Sequence, residues 1–265
     1  MSRVPTLPRR LPRGAGFRAL SLALLSTALP AADGPPEVLV GAAASLAEPM
    51  AAIAASYEAS HAGVRVRVAL GASNVLAQQV RSGAPLELLV SADPQIVDRL
   101  AAEGLVDPGG RRRIAANRLV VLVRAELAER VASAPDLARP EVRRIAVPDA
   151  AVPVGRYGRE WIATRGLLAT LAPRLIATED ARATLAAVDG GNADAAIVYA
   201  TDARLATSAR AGFEIPAAEQ PEIAYEAALR SDAGAEARRF FAFLAGPEAR
   251  RALAASGFAP ASGAP

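Results

Sequence analysis

Val38-Leu39-Val40-Gly41-Ala42-Ala43-Ala44-Ser45-Leu46-Ala47-Glu48 is an apolar run that breaks at a glycine and resumes, behind a serine, with helical spacing. It predicts strand, tight turn and helix. Ser45 stands three residues before Glu48, the spacing of a capping box, in which the hydroxyl accepts from a first-turn N–H and the glutamate reaches back. The position also has a second reading. The unpaired N–H groups and positive dipole end of a helix start form an anion site, to which Ser45 adds a hydroxyl donor.

The opening pattern recurs downstream. A helix from Leu46 to about Ser60 places Met50, Ile53, Ala54 and Tyr57 on one face. Val64, Val66, Val68 and Leu70 then alternate with Arg65, Arg67 and Ala69, the period of a strand with one wet side. Gly71-Ala72-Ser73 ends that strand, and a second helix runs to Gly83. Leu86 to Val90 is a third strand, followed by Asp93 as a helix cap and Pro94 at the first helical position. Three successive strand-turn-helix units predict a parallel sheet covered by helices, with ligands at the carboxyl ends of the strands.

Ile114 to Val123 reads as one long strand crossing between two lobes. A second set follows: strand Arg144 to Val147, helix from about Gly155, strand Leu175 to Ala177, helix Ala181 to Val188 and strand Ala195 to Tyr199. Phe213 to Ile215 is an edge-strand candidate. Ile223 to Leu229 returns the chain to the first lobe, which two helices, Ala235 to Leu244 and Pro247 to Ala255, complete. The expected organisation is therefore residues 33–116 with 221–262 as one lobe and 117–220 as the other.

The chain has 265 residues, 52% of them hydrophobic and 22% charged, in the range of globular domains. Arg3, Arg9, Arg10, Arg13 and Arg18 precede an apolar run from Ala19 to Leu29, the pattern of a secretory leader over residues 1–32, cleaved after Ala28 or Ala32. That run is too short to span a bilayer. Setting its five arginines aside leaves 25 basic against 27 acidic residues, a net charge of −2, so no basic surface for nucleic acid is implied. The absence of cysteine excludes disulfides, thiolate chemistry and lipidation of an N-terminal cysteine. These features predict a soluble, unlipidated periplasmic protein.

Nucleophilic catalysis is poorly served. The one histidine, His61, lies in a polar turn, no G-x-S-x-G elbow occurs, and there is no lysine to act as a substitute base. Glu179 and Asp180 sit at a helix start and read as caps. No histidine-carboxylate cluster has metal-ligand spacing. The chain does have small-residue turns that open helices at the same edge of two sheets: Gly41 to Ser45, Gly71 to Ser73, Val152 to Gly155 and Thr178 to Ala181. Converging on a cleft, they would offer backbone N–H groups and hydroxyls to one anion without any cation. Arg156 and Arg182, beside two of the turns, are expected to point to solvent.

These motifs resemble those of the periplasmic molybdate-binding proteins of ABC importers. The resemblance spans nearly all of the chain after the leader. It is carried by Ala42-Ala-Ala-Ser45-Leu46, Gly71-Ala-Ser73, the block from Gly83-Ala-Pro85 to Ser91-Ala-Asp93, Ala116-Asn117-Arg118-Leu119-Val120, Val152-Pro-Val-Gly155-Arg-Tyr157 and Gly191-Asn-Ala-Asp194 through Tyr199 to Asp202. It implies an α/β two-lobed type II periplasmic binding protein fold with the oxyanion between the lobes. Carried over by position, Ser45 and Ser73 would give hydroxyl and backbone donors, Val154 and Ala181 backbone N–H groups, and Tyr199 its phenolic O–H. The ligand would be molybdate or tungstate, with no resident cofactor. The partner would be an inner-membrane ABC permease, and the receptor a monomer. A receptor for sulfate or phosphate, and an enzyme acting on a small anion, are the competing expectations.

Overall fold

The computed structural model describes residues 35–261; the expected leader over residues 1–32 lies outside them. The apolar runs become strands of two sheets. Numbered along the chain, the strands are β1 Glu37–Ala43, β2 Arg65–Gly71, β3 Leu88–Ser91, β4 Val106–Asn117, β5 Leu119–Val123, β6 Ile145–Ala146, β7 Leu175–Ile176, β8 Ala195–Tyr199, β9 Arg210–Glu214 and β10 Ile223–Arg230. The helices are α1 Ala47–Ser60, α2 Ser73–Arg81, α3 Pro94–Ala102, α4 Pro153–Thr164, α5 Leu168–Leu171, α6 Ala181–Asp189, α7 Ala200–Ala203, α8 Ala235–Phe243 and α9 Pro247–Ala255.

The first sheet has the order β2-β1-β3-β10-β4 and the second β7-β6-β8-β5-β9. In each, the strands followed by helices run parallel: β1 with β2 and β3, and β6 with β7 and β8. The connecting strands run antiparallel: β10 lies between β3 and β4, and β5 lies between β8 and β9. Both sheets are thus mixed and covered by helices, in two lobes. Val38, Val40 and Ala42 of β1 are fully buried with Met50, Ile53 and Tyr57 of α1 and Phe240 of α8. In the second lobe β8 is buried along its whole length, and Trp161 and Ile162 of α4 share its core.

Two expectations change. The strand read from Ile114 to Val123 is two strands in different sheets, divided at Arg118. The break is local: the Asn117 side-chain oxygen accepts the Arg118 N–H at 2.9 Å, supplying a partner that neither ladder offers. β4 also begins earlier, at Val106, through Pro108-Gly109-Gly110, which the turn residues had obscured. β4 is an edge strand, where proline is tolerated. Gly110 packs so closely on β10 that an added Cβ would lie 2.8 Å from Cβ of Leu229.

Candidate functional site

β1 ends in a short 3-10 turn, Ala44–Leu46, before α1 begins. That intervening turn defeats the expected capping box. Neither it nor α1 has a side-chain cap, because Ser45 sits inside the turn rather than at the helix boundary. Its hydroxyl instead pairs with the Tyr225 hydroxyl at 2.8 Å, and Glu48 reaches Arg182 in the other lobe.

The other expected residues also sit where helices open. Ser73 is the first residue of α2, and its Oγ accepts the Ala92 N–H at 3.1 Å. Val154 follows Pro153 at the start of α4, and Ala181 opens α6 behind Asp180, whose carboxylate accepts the Ala183 N–H at 2.9 Å. The first N–H groups of these helices have no intrahelical acceptor, and the helix dipoles place partial positive charge there. Tyr199 ends β8 with its hydroxyl buried and, among the described residues, without a hydrogen-bond partner. Burial, and secondarily the neighbouring Tyr225, push its ionisation well above the usual tyrosine range, so it stays an O–H donor.

Ser45, Ser73, Val154, Ala181 and Tyr199 line one cavity, closed by residues of both lobes. The space within it open to the centre of a water-sized sphere is about 10 Å³, far below the ~300–1,000 Å³ usual for organic ligands. Its size suits one small ion. The one charged residue on its lining is Asp180, whose carboxylate already serves the α6 cap. Among the described residues that line it, none is a cation.

The arginines do not point freely into solvent as expected. Arg156 of α4 bonds Asp93 of the first lobe at 2.9 Å and Glu160 at 2.9 Å, and its guanidinium lies 4.2 Å from the ring centre of Tyr157. Arg182 of α6 pairs with Glu48 and approaches Asp202 at 3.0 Å. Their side chains are 22% and 27% exposed, and each joins one lobe to the other beside the cavity without lining it. Their partners in the opposite lobe, Asp93 and Glu48, lie far away in sequence, which is why local reading placed them in water.

Asp202 is fully buried, and neither of its oxygens makes a well-aligned hydrogen bond even to Arg182. Loss of water pushes its ionisation up to about 7, against the opposing pull of Arg182. Tyr225, Asn117 and Asp202 are the polar residues near the site that sequence reading left without a role. Tyr225 sits in an apolar strand pattern whose polar end is visible only once β10 lies beside β4 and faces Ser45.

Two α/β lobes, joined by crossing strands and closing helix N-termini over a small cation-free cavity, define a two-lobed solute-binding protein. The chain belongs to the bacterial extracellular solute-binding protein family, whose sequence profile matches residues 38–259. It is 30% identical over 246 residues to the molybdate-binding protein ModA of Escherichia coli, covering 91% of this chain and 94% of that one. The periplasmic molybdate-binding protein of Azotobacter vinelandii shares the fold, with a TM-score of 0.74 at 23% identity over 85% of this chain and all of the other. So does the sulfate-binding protein SubI of Mycobacterium tuberculosis, with a TM-score of 0.76 at 19% identity over 86% and 88% of the two chains. The family is one of binding proteins rather than enzymes. Among the described residues no helix is long and apolar enough to cross a membrane.

Proposed function

We propose that this protein is an extracytoplasmic receptor that closes on molybdate, and on tungstate as its close analogue, and delivers it to an ABC permease. The observation that carries this reading is the set of neutral donors on one small cavity, with the buried Tyr199 hydroxyl lacking any partner among the described residues. The similarity to E. coli ModA supports the same ligand. The hydroxyls of Ser45, Ser73 and Tyr199 and the backbone N–H groups of Ser45, Ser73, Val154 and Ala181 make about seven donors. At roughly 1.5–3 kcal/mol for each bond to a charged group, they supply on the order of 10–20 kcal/mol, against roughly 4–15 kcal/mol lost on association. Tight binding is therefore feasible without a cation.

A donor lining favours fully ionised anions, because a P–OH group facing an N–H leaves both hydrogens without an acceptor. Discrimination among ionised tetrahedral dianions then rests on cavity size. A sulfate receptor is the second reading, motivated by the fold shared with SubI. Calorimetric titration of the secreted form with molybdate, tungstate, sulfate and phosphate tests both. Stoichiometric heat with molybdate and tungstate supports the first reading; binding of sulfate alone overturns it in favour of the second. The reading includes secretion by the leader, an unlipidated periplasmic location and action as a monomer.

Tyr199→Phe is expected to weaken molybdate affinity by roughly 1–3 kcal/mol, about 5- to 150-fold, since one buried donor is removed from a charged acceptor. Titration of the variant measures it, and an unchanged dissociation constant would remove Tyr199 from the site.

A further inference from the structure

Ser45 has a chain of polar groups behind it. Its Oγ lies 2.8 Å from the Tyr225 hydroxyl. Nδ2 of Asn117 donates to that same Tyr225 hydroxyl at 3.4 Å and to Thr201 Oγ1 at 2.9 Å. The amide orientation is fixed independently, because the Asn117 oxygen accepts the Arg118 N–H at 2.9 Å. Both hydrogens of Nδ2 are thereby assigned. With Asn117 donating to it, the Tyr225 oxygen can direct its own proton to Ser45, its remaining hydrogen-bonded neighbour, an arrangement that leaves the Ser45 hydrogen for the cavity.

The second serine repeats this polarity with other residues. Ser73 Oγ accepts the Ala92 N–H from behind at 3.1 Å, which likewise leaves its hydrogen for the cavity. Both cavity hydroxyls, on two different elements of the first lobe, are thus met from behind by a donor.

We infer that Asn117 and Tyr225 are positioning residues that hold the Ser45 hydroxyl as a donor into the cavity, and so set the preference for unprotonated dianions over protonated ions of equal charge. A hydroxyl without this backing rotates and offers a lone pair to a P–OH group. The inference rests on the reading of the cavity as a site for tetrahedral oxyanions.

Hydrogen phosphate and molybdate carry the same charge in mildly alkaline buffer and differ in one proton and in size. The size difference is common to parent and variants, so the change in their affinity ratio reads the effect of the proton. Sodium molybdate and sodium phosphate are titrated into the parent protein, Tyr225→Phe and Asn117→Asp, with thermal unfolding of each as a control on folding. Tyr225→Phe is expected to weaken molybdate about tenfold while leaving phosphate nearly unchanged, which narrows the ratio about tenfold. Asn117→Asp keeps an oxygen for the Arg118 N–H but places an acceptor before Tyr225. The proton chain then reverses and the ratio narrows again, although the added charge weakens both ions together. Should Tyr225→Phe fail to fold, Asn117→Asp carries the test.

A purely structural role would lower both affinities in parallel. Parallel losses, or ratios equal to that of the parent, would overturn the inference while leaving the receptor reading intact. A parent protein that binds no tetrahedral oxyanion would overturn the receptor reading and this inference with it.

Discussion

Gly155→Ala is expected to weaken molybdate binding by about 100-fold or more and to lower the melting temperature by several degrees. A Cβ at this position would lie 2.2 Å from the Asp149 carbonyl oxygen and 2.5 Å from that of Pro148, both of them backbone atoms. A clash with a side-chain tip can be relieved by rotation, but these oxygens move only with the loop that holds them. The start of α4 must therefore shift, and Val154, one residue earlier, moves with it. Overpacking of this kind typically costs about 1–3 kcal/mol. A displaced N–H donor forfeits roughly another 1.5–3 kcal/mol toward a charged ligand. Calorimetry and thermal unfolding read the two effects separately. Normal affinity in a destabilised variant would show that the Val154 N–H contributes little.

The second large effect is one of pH. Asp202→Asn is expected to stabilise the protein at about pH 8 and to leave it nearly unchanged at about pH 4. Burial raises the Asp202 ionisation from an ordinary 3.8 to about 7. Below about pH 4 the group is protonated whether the chain is folded or not, so it contributes no difference. Between about pH 4 and 7 the unfolded chain releases this proton while the folded chain keeps it, and stability falls as pH rises. Above about pH 7 the loss is complete and amounts to up to about 4 kcal/mol. Other carboxylates, such as Asp189, are shifted the opposite way by their hydrogen bonds, so the parent's own pH profile mixes signs. The parent–variant difference removes them. Unfolding of both proteins at the two pH values measures it, and a difference independent of pH would show that Asp202 is ionised throughout that range.

The parts of this molecule legible in its sequence are those that local periodicity decides. Met50, Ile53, Ala54 and Tyr57 are buried as their spacing predicts, Asp93 and Asp180 cap their helices, and Phe213 lies on an edge strand. The five residues placed at the candidate site by resemblance do line one cavity. What escaped depends on partners far along the chain. Ser45 and Tyr225 are 180 residues apart, so the same serine that fits a local cap pattern answers to a tyrosine that no local pattern announces. Arg156 and Arg182 looked solvated because their carboxylates, Asp93 and Glu48, come from the opposite lobe. Val106 to Arg113 does not read as strand, since its proline and glycines signal a turn, yet at a sheet edge against β10 they are compatible with a strand.

The place of β10 in the first sheet bears on the order in which the molecule assembles. The second sheet draws its strands from one continuous stretch, Leu119 to Glu214, whereas the first needs residues 223–230 between strands that end by residue 117. Contacts between distant segments form late, since a long loop must close before they are rewarded. The second lobe can therefore mature on its own residues, while the first waits with its β3 and β4 edges open until nearly the whole chain has emerged. Truncation before Ile223 is expected to leave those edges unpaired and prone to aggregate, and it would also remove Tyr225, so the strand that completes the first sheet is the one that backs Ser45.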